Sequence, residues 1–270
     1  MTCEVVPATE PLVSEVEAWL DEEEVAYKVA MDAYWHGDDD DDPPVRGFRC
    51  NWDSVKRTWR EGYSRLYILL VDGQAIGFLD GKDILEIRPD LRRGGYGRIL
   101  AQFMIANAWS DGWSVIEIEI APREAEPFWK AMGFTPVSDR RGPGGGVFAY
   151  RVLPRTFDLS AGERVAYSIE FFTERGRYSD EDRPLSCFEG EGERLPDGSI
   201  QLPSRAYCFD PNEDGAWDYY VRIAVDGAVL HFDKAKRDSS RAYGIERDPR
   251  DRYFVDRIRP VPQNKGDGFE

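Results

Sequence analysis

The chain is short of the residues that carry much metal and nucleophile chemistry: its 270 residues include four cysteines and two histidines. Cys3, Cys50, Cys187 and Cys208 are scattered with no Cys-x-x-Cys spacing, and His36 and His231 are the only imidazoles. Neither a zinc centre nor a Ser-His-Asp machine is expected from that inventory, and no metal is assigned. Positive charge is scarce as well. Thirty-five Lys and Arg face 51 Asp and Glu, a net charge of −16. Nucleic-acid backbones and anionic lipid should repel such a chain, so neither nucleic acid nor membrane is expected as a partner. A cationic amine or a Lys-rich protein is the natural one, and a homodimer is compatible with the sequence. No stretch approaches the length of about 18 apolar residues that a membrane span needs, and no basic region followed by an apolar run opens the chain. We therefore expect a cytoplasmic protein with reduced thiols.

What is present is the composition of a globular protein, 41% hydrophobic and 13% aromatic, with length for one large or two ordinary domains. The stretch around which the chain is organised is Arg92-Arg93-Gly94-Gly95-Tyr96-Gly97-Arg98. Before it, Ile84 to Ile87 has the aliphatic content of a strand, and Pro89 stops it because proline has no amide for the ladder. After it, Ile99, Leu100, Phe103, Met104 and Ala106 to Trp109 recur at helical spacing. The loop thus sits at a helix N-terminus, where amides without intrahelical partners and the positive end of the dipole suit a phosphate. Its glycines permit close approach of the backbone, and Arg92, Arg93 and Arg98 add positive charge.

Strand, glycines and helix also occur in two other phosphate-binding patterns. A Rossmann fingerprint needs a third glycine after Gly95-Tyr96-Gly97, and a Walker loop needs Gly-Lys-Ser/Thr; both are missing. The stretch resembles motif A of the GNAT acyltransferase superfamily, Arg/Gln-x-x-Gly-x-Gly/Ala, as Arg92-x-x-Gly95-x-Gly97. A second block, Pro122-Arg123-Glu124-Ala125-Glu126-Pro127-Phe128-Trp129-Lys130-Ala131-Met132-Gly133-Phe134, is similar to the family's Asn-x-x-Ala-x-x-Phe-Tyr-x-x-x-Gly-Phe. The resemblance covers residues 1 to 154. It implies a mixed, mostly antiparallel α/β sheet flanked by helices.

Along that part, Leu12 to Tyr34 reads as one long or two consecutive amphipathic helices, with Ser14 or Thr9 as caps. Gly37 through five aspartates to Pro44 is a solvated acidic loop, which in GNAT enzymes borders the acceptor site. Asn51 to Tyr63 reads as a second helix capped by Asn51 or Asp53. Leu66 to Val71 and Gln74 to Leu79 flank Asp72-Gly73, a type I′ hairpin signal. Val115 to Ile120 alternates isoleucine with Glu117 and Glu119, a half-buried strand. Phe128 to Met132 is a short helix ended by Gly133, and Val147 to Val152 is a closing strand. Beyond Pro154 the pattern turns to period two, in Val165-Tyr167-Ile169-Phe171 and Tyr219-Val221-Ile223-Val225, with turns at Asp197-Gly198 and Asp226-Gly227. Residues 155 to 270 are read as a small all-β domain without a helix, ending in a loose tail from Pro260. Arg241 to Arg257 is taken as a strand with solvated charges. This half has 18 basic and 24 acidic residues, a net of −6, leaving −10 for the first 154 residues.

The resemblance implies acetyl-CoA as acyl donor for an N-acetyltransferase acting on an amine by direct transfer. The pyrophosphate would rest on the amides of Arg93, Gly94, Gly95, Tyr96, Gly97 and Arg98. Backbone groups of Leu85 and Ile87 would bind the pantetheine arm and polarise the thioester, an effect of about 3 kcal/mol per donor elsewhere. The acceptor ammonium must lose a proton, for which Glu117 is the first candidate base, with Glu119 and Glu86 next. The family's usual tyrosine, donor of a proton to the thiolate, is replaced by Trp129, whose N–H is not usefully acidic, and Pro122 replaces an Asn that often holds pantetheine. Three outcomes stay open: Tyr96 protonates the thiolate, water does, or the domain is a catalytically degenerate acyl-CoA-binding or interaction module. Ordinary packing of Trp129 beside Phe128 and Phe134 fits all three.

Overall fold

In the computed structural model, residues 2–36, 43–81, 84–174, 183–213 and 218–259 are described. The expected acidic loop at Asp38 to Asp42 and the tail from Pro260 lie outside these residues. Contacts divide the chain into two compact units, Met1–Ala108 with Glu117–Phe134 and Gly142–Gly146, and Trp109–Ile116 with Thr135–Arg141 and Val147–Glu270.

The first unit is built on an antiparallel sheet in the order β1 (Cys3–Pro7), β2 (Leu66–Val71), β3 (Gln74–Asp80), β4 (Ile84–Ile87). The β2–β3 turn is of the expected kind: Asp72 and Gly73 have φ of 48° and 82°, the left-handed pair that a type I′ hairpin requires. One long helix, α1 (Glu10–His36), takes the first helical stretch, and α2 (Arg49–Arg60) the second. Val13, Val16, Trp19 and Leu20 of α1 and Trp52 and Val55 of α2 are buried against Leu66, Ile68, Ala75 and Phe78 of the sheet. Trp52 and Phe48 pack on the Phe78 ring at centroid distances of 4.8 and 5.4 Å. Each such side chain contributes about 1.5–3 kcal/mol. The ion pair of Arg60 with Glu10 between the helices, at 2.7 Å, is exposed and contributes about 0–1 kcal/mol. The core, not the charges, sets the helix positions.

Of the caps expected for α1, Thr9 holds the N-cap position, its carbonyl accepting the Val13 amide at 2.9 Å, while Ser14 is inside the helix, where its hydroxyl donates to the Glu10 carbonyl at 3.0 Å. The N-cap of α2 is Phe48, with no side-chain cap; Asn51 and Asp53 are inside the helix, and Asp53 pairs with Arg49 and Lys56. Burial of Phe48 against Phe78 outweighs a capping hydrogen bond of about 1 kcal/mol.

After β4 come a 3₁₀ turn (Pro89–Leu91), α3 (Tyr96–Ser110), β5 (Val115–Ile120) and α4 (Glu126–Ala131). Gly133, at φ 81°, ends α4, its amide on the Lys130 carbonyl and that of Phe134 on the Trp129 carbonyl. The α/β arrangement implied by the GNAT resemblance is thus present: antiparallel strands with helices, and β5 outside the four-stranded sheet of which β4 is the edge.

In the second unit, β6 (Thr135–Arg141) pairs antiparallel with β7 (Val147–Val152), the expected closing strand. The strand β6 is an addition to the sequence reading, since its proline and three charges hide any alternation. Beyond Pro154, β8 (Arg164–Thr173), β9 (Ser186–Arg194), β10 (Ile200–Tyr207), β11 (Tyr219–Val225), β12 (Ala228–Lys234), β13 (Ile245–Arg247) and β14 (Tyr253–Ile258) form a seven-stranded antiparallel sheet. Period two does the work here: Val165, Tyr167, Ile169 and Phe171 of β8 and Val221, Ile223 and Val225 of β11 bury one face in a common core. Two expectations need correction. A short helix, α5 (Asp238–Ala242), is present, and Arg241 to Arg257 is not one strand. Gly244, at φ 97°, breaks it after α5, and the Asp248 carboxylate turns it between β13 and β14 by accepting the amides of Arg250 and Arg252.

Candidate active site

The site is assembled within the first unit, at the free edge of β4. The Arg88 amide donates to the Ile76 carbonyl at 2.8 Å, and Glu86 lies opposite Phe78 in the same register. Hydrogen-bonded pairs alternate along an antiparallel ladder, so Glu86 and Ile84 bond to β3 while the backbone groups of Leu85 and Ile87 face outward. These are the two residues expected to bind a pantetheine arm. The Ile87 carbonyl, however, is already taken: Arg92 Nε donates to it at 3.0 Å. The outward N–H of Ile87 and both groups of Leu85 remain for a ligand.

Next comes the loop. Arg93 and Gly95 adopt φ of 66° and 85°, and the Gly94 amide closes a turn on the Leu91 carbonyl at 3.3 Å. Two left-handed residues in three curl the backbone so that successive amides converge, the geometry of an anion nest. Among the described residues the amides of Arg93, Gly95 and Gly97 have no hydrogen-bond partner, and the side chains of Arg93 and Arg98 form no ion pair. Nothing lies within 4 Å of the place a Gly95 side chain would occupy, so the space before the loop is open. Gly97 packs inward, where a methyl would touch the Phe128 ring at 3.5 Å and Ile87 at 3.8 Å. Unused amides, open space and unpaired cations fit a pyrophosphate.

Arg92 does not share that orientation. Besides the Ile87 carbonyl, its Nη2 meets Glu23 of α1 at 3.2 Å and Glu86 at 3.4 Å. Its backbone opens the loop while its guanidinium, on a side chain 46% exposed, is engaged by Ile87, Glu23 and Glu86. Tyr96, the first residue of α3, is half-buried with its ring close to Gly94. Trp129 is buried, edge-on between Phe128 at 5.0 Å and Phe134 at 5.1 Å, as core aromatics pack.

The three candidate carboxylates differ in surroundings. Glu117 and Glu119 share one face of β5, both partly buried. Glu119 is committed: its oxygens accept the amides of Gly144 at 2.8 Å and Gly146 at 2.6 Å, and Gly142, Gly144 and Gly146 all lie against it so closely that a side chain at any of them would collide. It anchors a glycine loop. Glu86 is on the face of β4 toward α1, the face on which Ile84 joins the α1–α2 core. Burial pushes its carboxyl up to about 7; Arg92 works against the shift and Glu23 adds to it.

Glu23, Gly47 and the glycine loop were not singled out from the sequence. Gly142-Pro143-Gly144-Gly145-Gly146 is a legible turn signal, but its anchor is 25 residues away. Glu23 is one of three consecutive glutamates on α1. Only the packing separates it from its neighbours. Among the described residues no group of three or more His, Cys, Asp or Glu is arranged to hold a metal, and no helix is long and apolar enough to cross a membrane.

No protein-family model matches the sequence, and no curated protein matches it. Solved structures similar to the chain are GNAT-family acetyltransferases. One from Staphylococcus aureus is 9% identical, with a TM-score of 0.41, over 56% of this chain and 99% of the other. A GCN5-related N-acetyltransferase from Rhodopseudomonas palustris is 18% identical, with a TM-score of 0.41, over 57% and 97%. The PaiA N-acetyltransferase of Thermoplasma acidophilum, solved in complex with coenzyme A, is 10% identical, with a TM-score of 0.42, over 57% and 100%. The C-terminal part of this chain is left unmatched.

Proposed function

We propose that the chain is an acyl-CoA-dependent N-acyltransferase, acetyl-CoA being the donor and a cationic amine, free or on a protein, the acceptor. The observation that carries this reading is the cradle: unpartnered amides at Arg93, Gly95 and Gly97, open space before Gly95, and the outward backbone of Leu85 and Ile87 beside it. Residues 1 to 154 would provide the donor site, and residues 155 to 270 would shape or recruit the acceptor.

Of the candidate bases, Glu86 has the surroundings that suit the task best. A carboxyl raised to about 7 takes up a proton near neutral pH more readily than an ordinary carboxylate, which suits a base toward an ammonium. Glu119 is occupied by the glycine loop, and Glu117 is the second candidate. Glu86 takes one proton from the acceptor ammonium, and the freed lone pair attacks the thioester carbon, whose developing oxyanion would accept a hydrogen bond from the outward Ile87 N–H. The C–N bond forms and the C–S bond breaks, its electron pair leaving with sulfur. Of the two protons that nitrogen loses, one ends on the thiolate, by way of Tyr96 or water, and one is released. Trp129 takes no part in that transfer. Its burial between two aromatic rings also suits the second reading, a module that binds acyl-CoA without turning it over.

Calorimetric titration of coenzyme A into the full chain tests the cradle. Micromolar affinity is expected for the wild type, falling at least tenfold in Gly95→Glu and Gly97→Glu, which put bulk and negative charge at the amides. Unchanged affinity in both variants would overturn the assignment. Thiol release from acetyl-CoA with an amine panel then separates the enzyme from the binding module.

A further inference from the structure

Glu23 is partly buried, its side chain 14% exposed, and one of its two carboxylate oxygens is left without a partner. Its Oε1 accepts Arg92 at 3.2 Å, but Oε2 is buried with no hydrogen-bond partner, and its carboxyl group lies where a side chain on residue 47 would be, within 2.4 Å of that position. A glycine at 47 is what makes room for it. Orphaned buried carboxylate oxygens are rare, because each forfeits its hydration without replacement. Glutamine in this place would be the cheaper side chain. The position of the charge therefore calls for an explanation beyond packing.

The explanation lies in how Arg92 is divided. Its Nε is fixed on the Ile87 carbonyl, and a single nitrogen, Nη2, is offered to two carboxylates, Glu23 at 3.2 Å and Glu86 at 3.4 Å. A guanidinium facing one carboxylate closes on it in a two-pronged pair. With two competing for one nitrogen, it closes on neither. Resting on the reading of Glu86 as the base, we propose that Glu23 is a positioning residue: it holds Arg92 off Glu86, so that Glu86 is oriented by the guanidinium without being locked to it as an ion pair. Gly47 is the seat that keeps Glu23 there.

The charged groups facing Glu86 are Arg92 from the cradle loop and Glu23 from α1, while β3 opposes it with Phe78. The upward displacement of the Glu86 carboxyl agrees with this arrangement, since Glu23 adds to it and Arg92 opposes it. Removing the competitor should let Arg92 collapse onto Glu86 and make it a poorer proton acceptor. Removing Arg92 should do the reverse.

The test is a carbon-13 NMR titration of glutamate carboxyls in the full chain without ligand, the Glu86 signal being identified by its loss in Glu86→Gln. In Glu23→Gln the Glu86 midpoint should fall by at least one pH unit, and in Arg92→Gln it should rise. Gly47→Ala, which displaces the Glu23 carboxyl without altering any charge, should lower it in the same sense by a smaller amount. A merely structural role for Glu23 would not move the midpoint in opposite directions in the two charge variants. A midpoint unchanged in Glu23→Gln, or one that moves the same way in Glu23→Gln and Arg92→Gln, overturns the proposal. The measurement needs neither coenzyme A nor turnover. If the cradle fails to bind coenzyme A, the acyltransferase reading falls by that separate result, and the titration still decides whether Glu23 governs Glu86.

Discussion

Replacing Glu86 with glutamine should stabilise the protein at alkaline pH and leave it nearly unchanged at acid pH. In the folded chain the carboxyl is raised from 4.5 to about 7, chiefly by burial, with Glu23 adding and Arg92 opposing. Between those two values the folded chain keeps a proton that the unfolded chain gives up, so stability falls as pH rises from 4.5 through 7. This is opposite in sign to a salt-bridged carboxylate, whose contribution grows with pH. The full displacement corresponds to roughly 3 kcal/mol well above neutrality, of which about 2 to 3 develops between about pH 5 and pH 8. Glutamine keeps the shape and never ionises, so the variant escapes that loss. Urea unfolding of both proteins at about pH 5 and pH 8 isolates the effect, because every other titrating group is common to the pair. The stability difference, variant minus wild type, should grow by roughly 2 kcal/mol toward the higher pH. The same difference at both pH values would refute the burial argument. A wild type favoured at the higher pH would mean that Glu86 behaves as a partner of Arg92 instead.

Three further outcomes are expected. Glu119→Ala should free the amides of Gly144 and Gly146, speeding their hydrogen exchange by at least tenfold, since charge-assisted bonds of this kind contribute roughly 1.5–3 kcal/mol; unchanged exchange would refute the anchoring role. A disulfide reagent should label Cys3, Cys50 and Cys187, which are exposed, and reach Cys208 only on unfolding, because it is 5% exposed and burial raises its thiol well above the usual range; four equally fast thiols would contradict the packing. Asp248→Ala should cost about 2–4 kcal/mol in thermal or urea unfolding, because the carboxylate, 4% exposed, accepts the amides of Ser114, Arg250 and Arg252, and its loss strands the buried Ser114 amide. A loss below about 0.5 kcal/mol would mean that water replaces it.

Where information was local, it could be read from residues alone. Asp72-Gly73 and Asp226-Gly227 sit at the expected hairpins because positive φ at both positions is a property of those residues and needs no distant partner. The glycine cradle was legible for the same reason: a strand stopped by Pro89, glycines free to turn, and a periodic apolar helix are each encoded within a few residues. The C-terminal sheet was legible from period two, since one buried face forces alternation on every strand. Strand β6 escaped because a proline and charges mask its pattern, and the cap of α2 was misplaced because the burial of Phe48 competes with capping.

The sequence by itself therefore determined the class of fold in both halves and the place of the glycine loop between β4 and α3, through short-range rules of dihedral angle and periodicity. Only the tertiary structure decided how the charged side chains divide their roles. Arg92 looked like one more cation for a phosphate, yet its guanidinium is turned onto Ile87, Glu23 and Glu86. Glu119 and Glu86 looked equivalent, yet one is held by glycine amides and the other is raised to about 7. The physical reason is that a carboxylate's chemistry is set by burial and by the charges within a few ångströms, and those neighbours, 69 residues apart in the case of Arg92 and Glu23, are brought together only by folding.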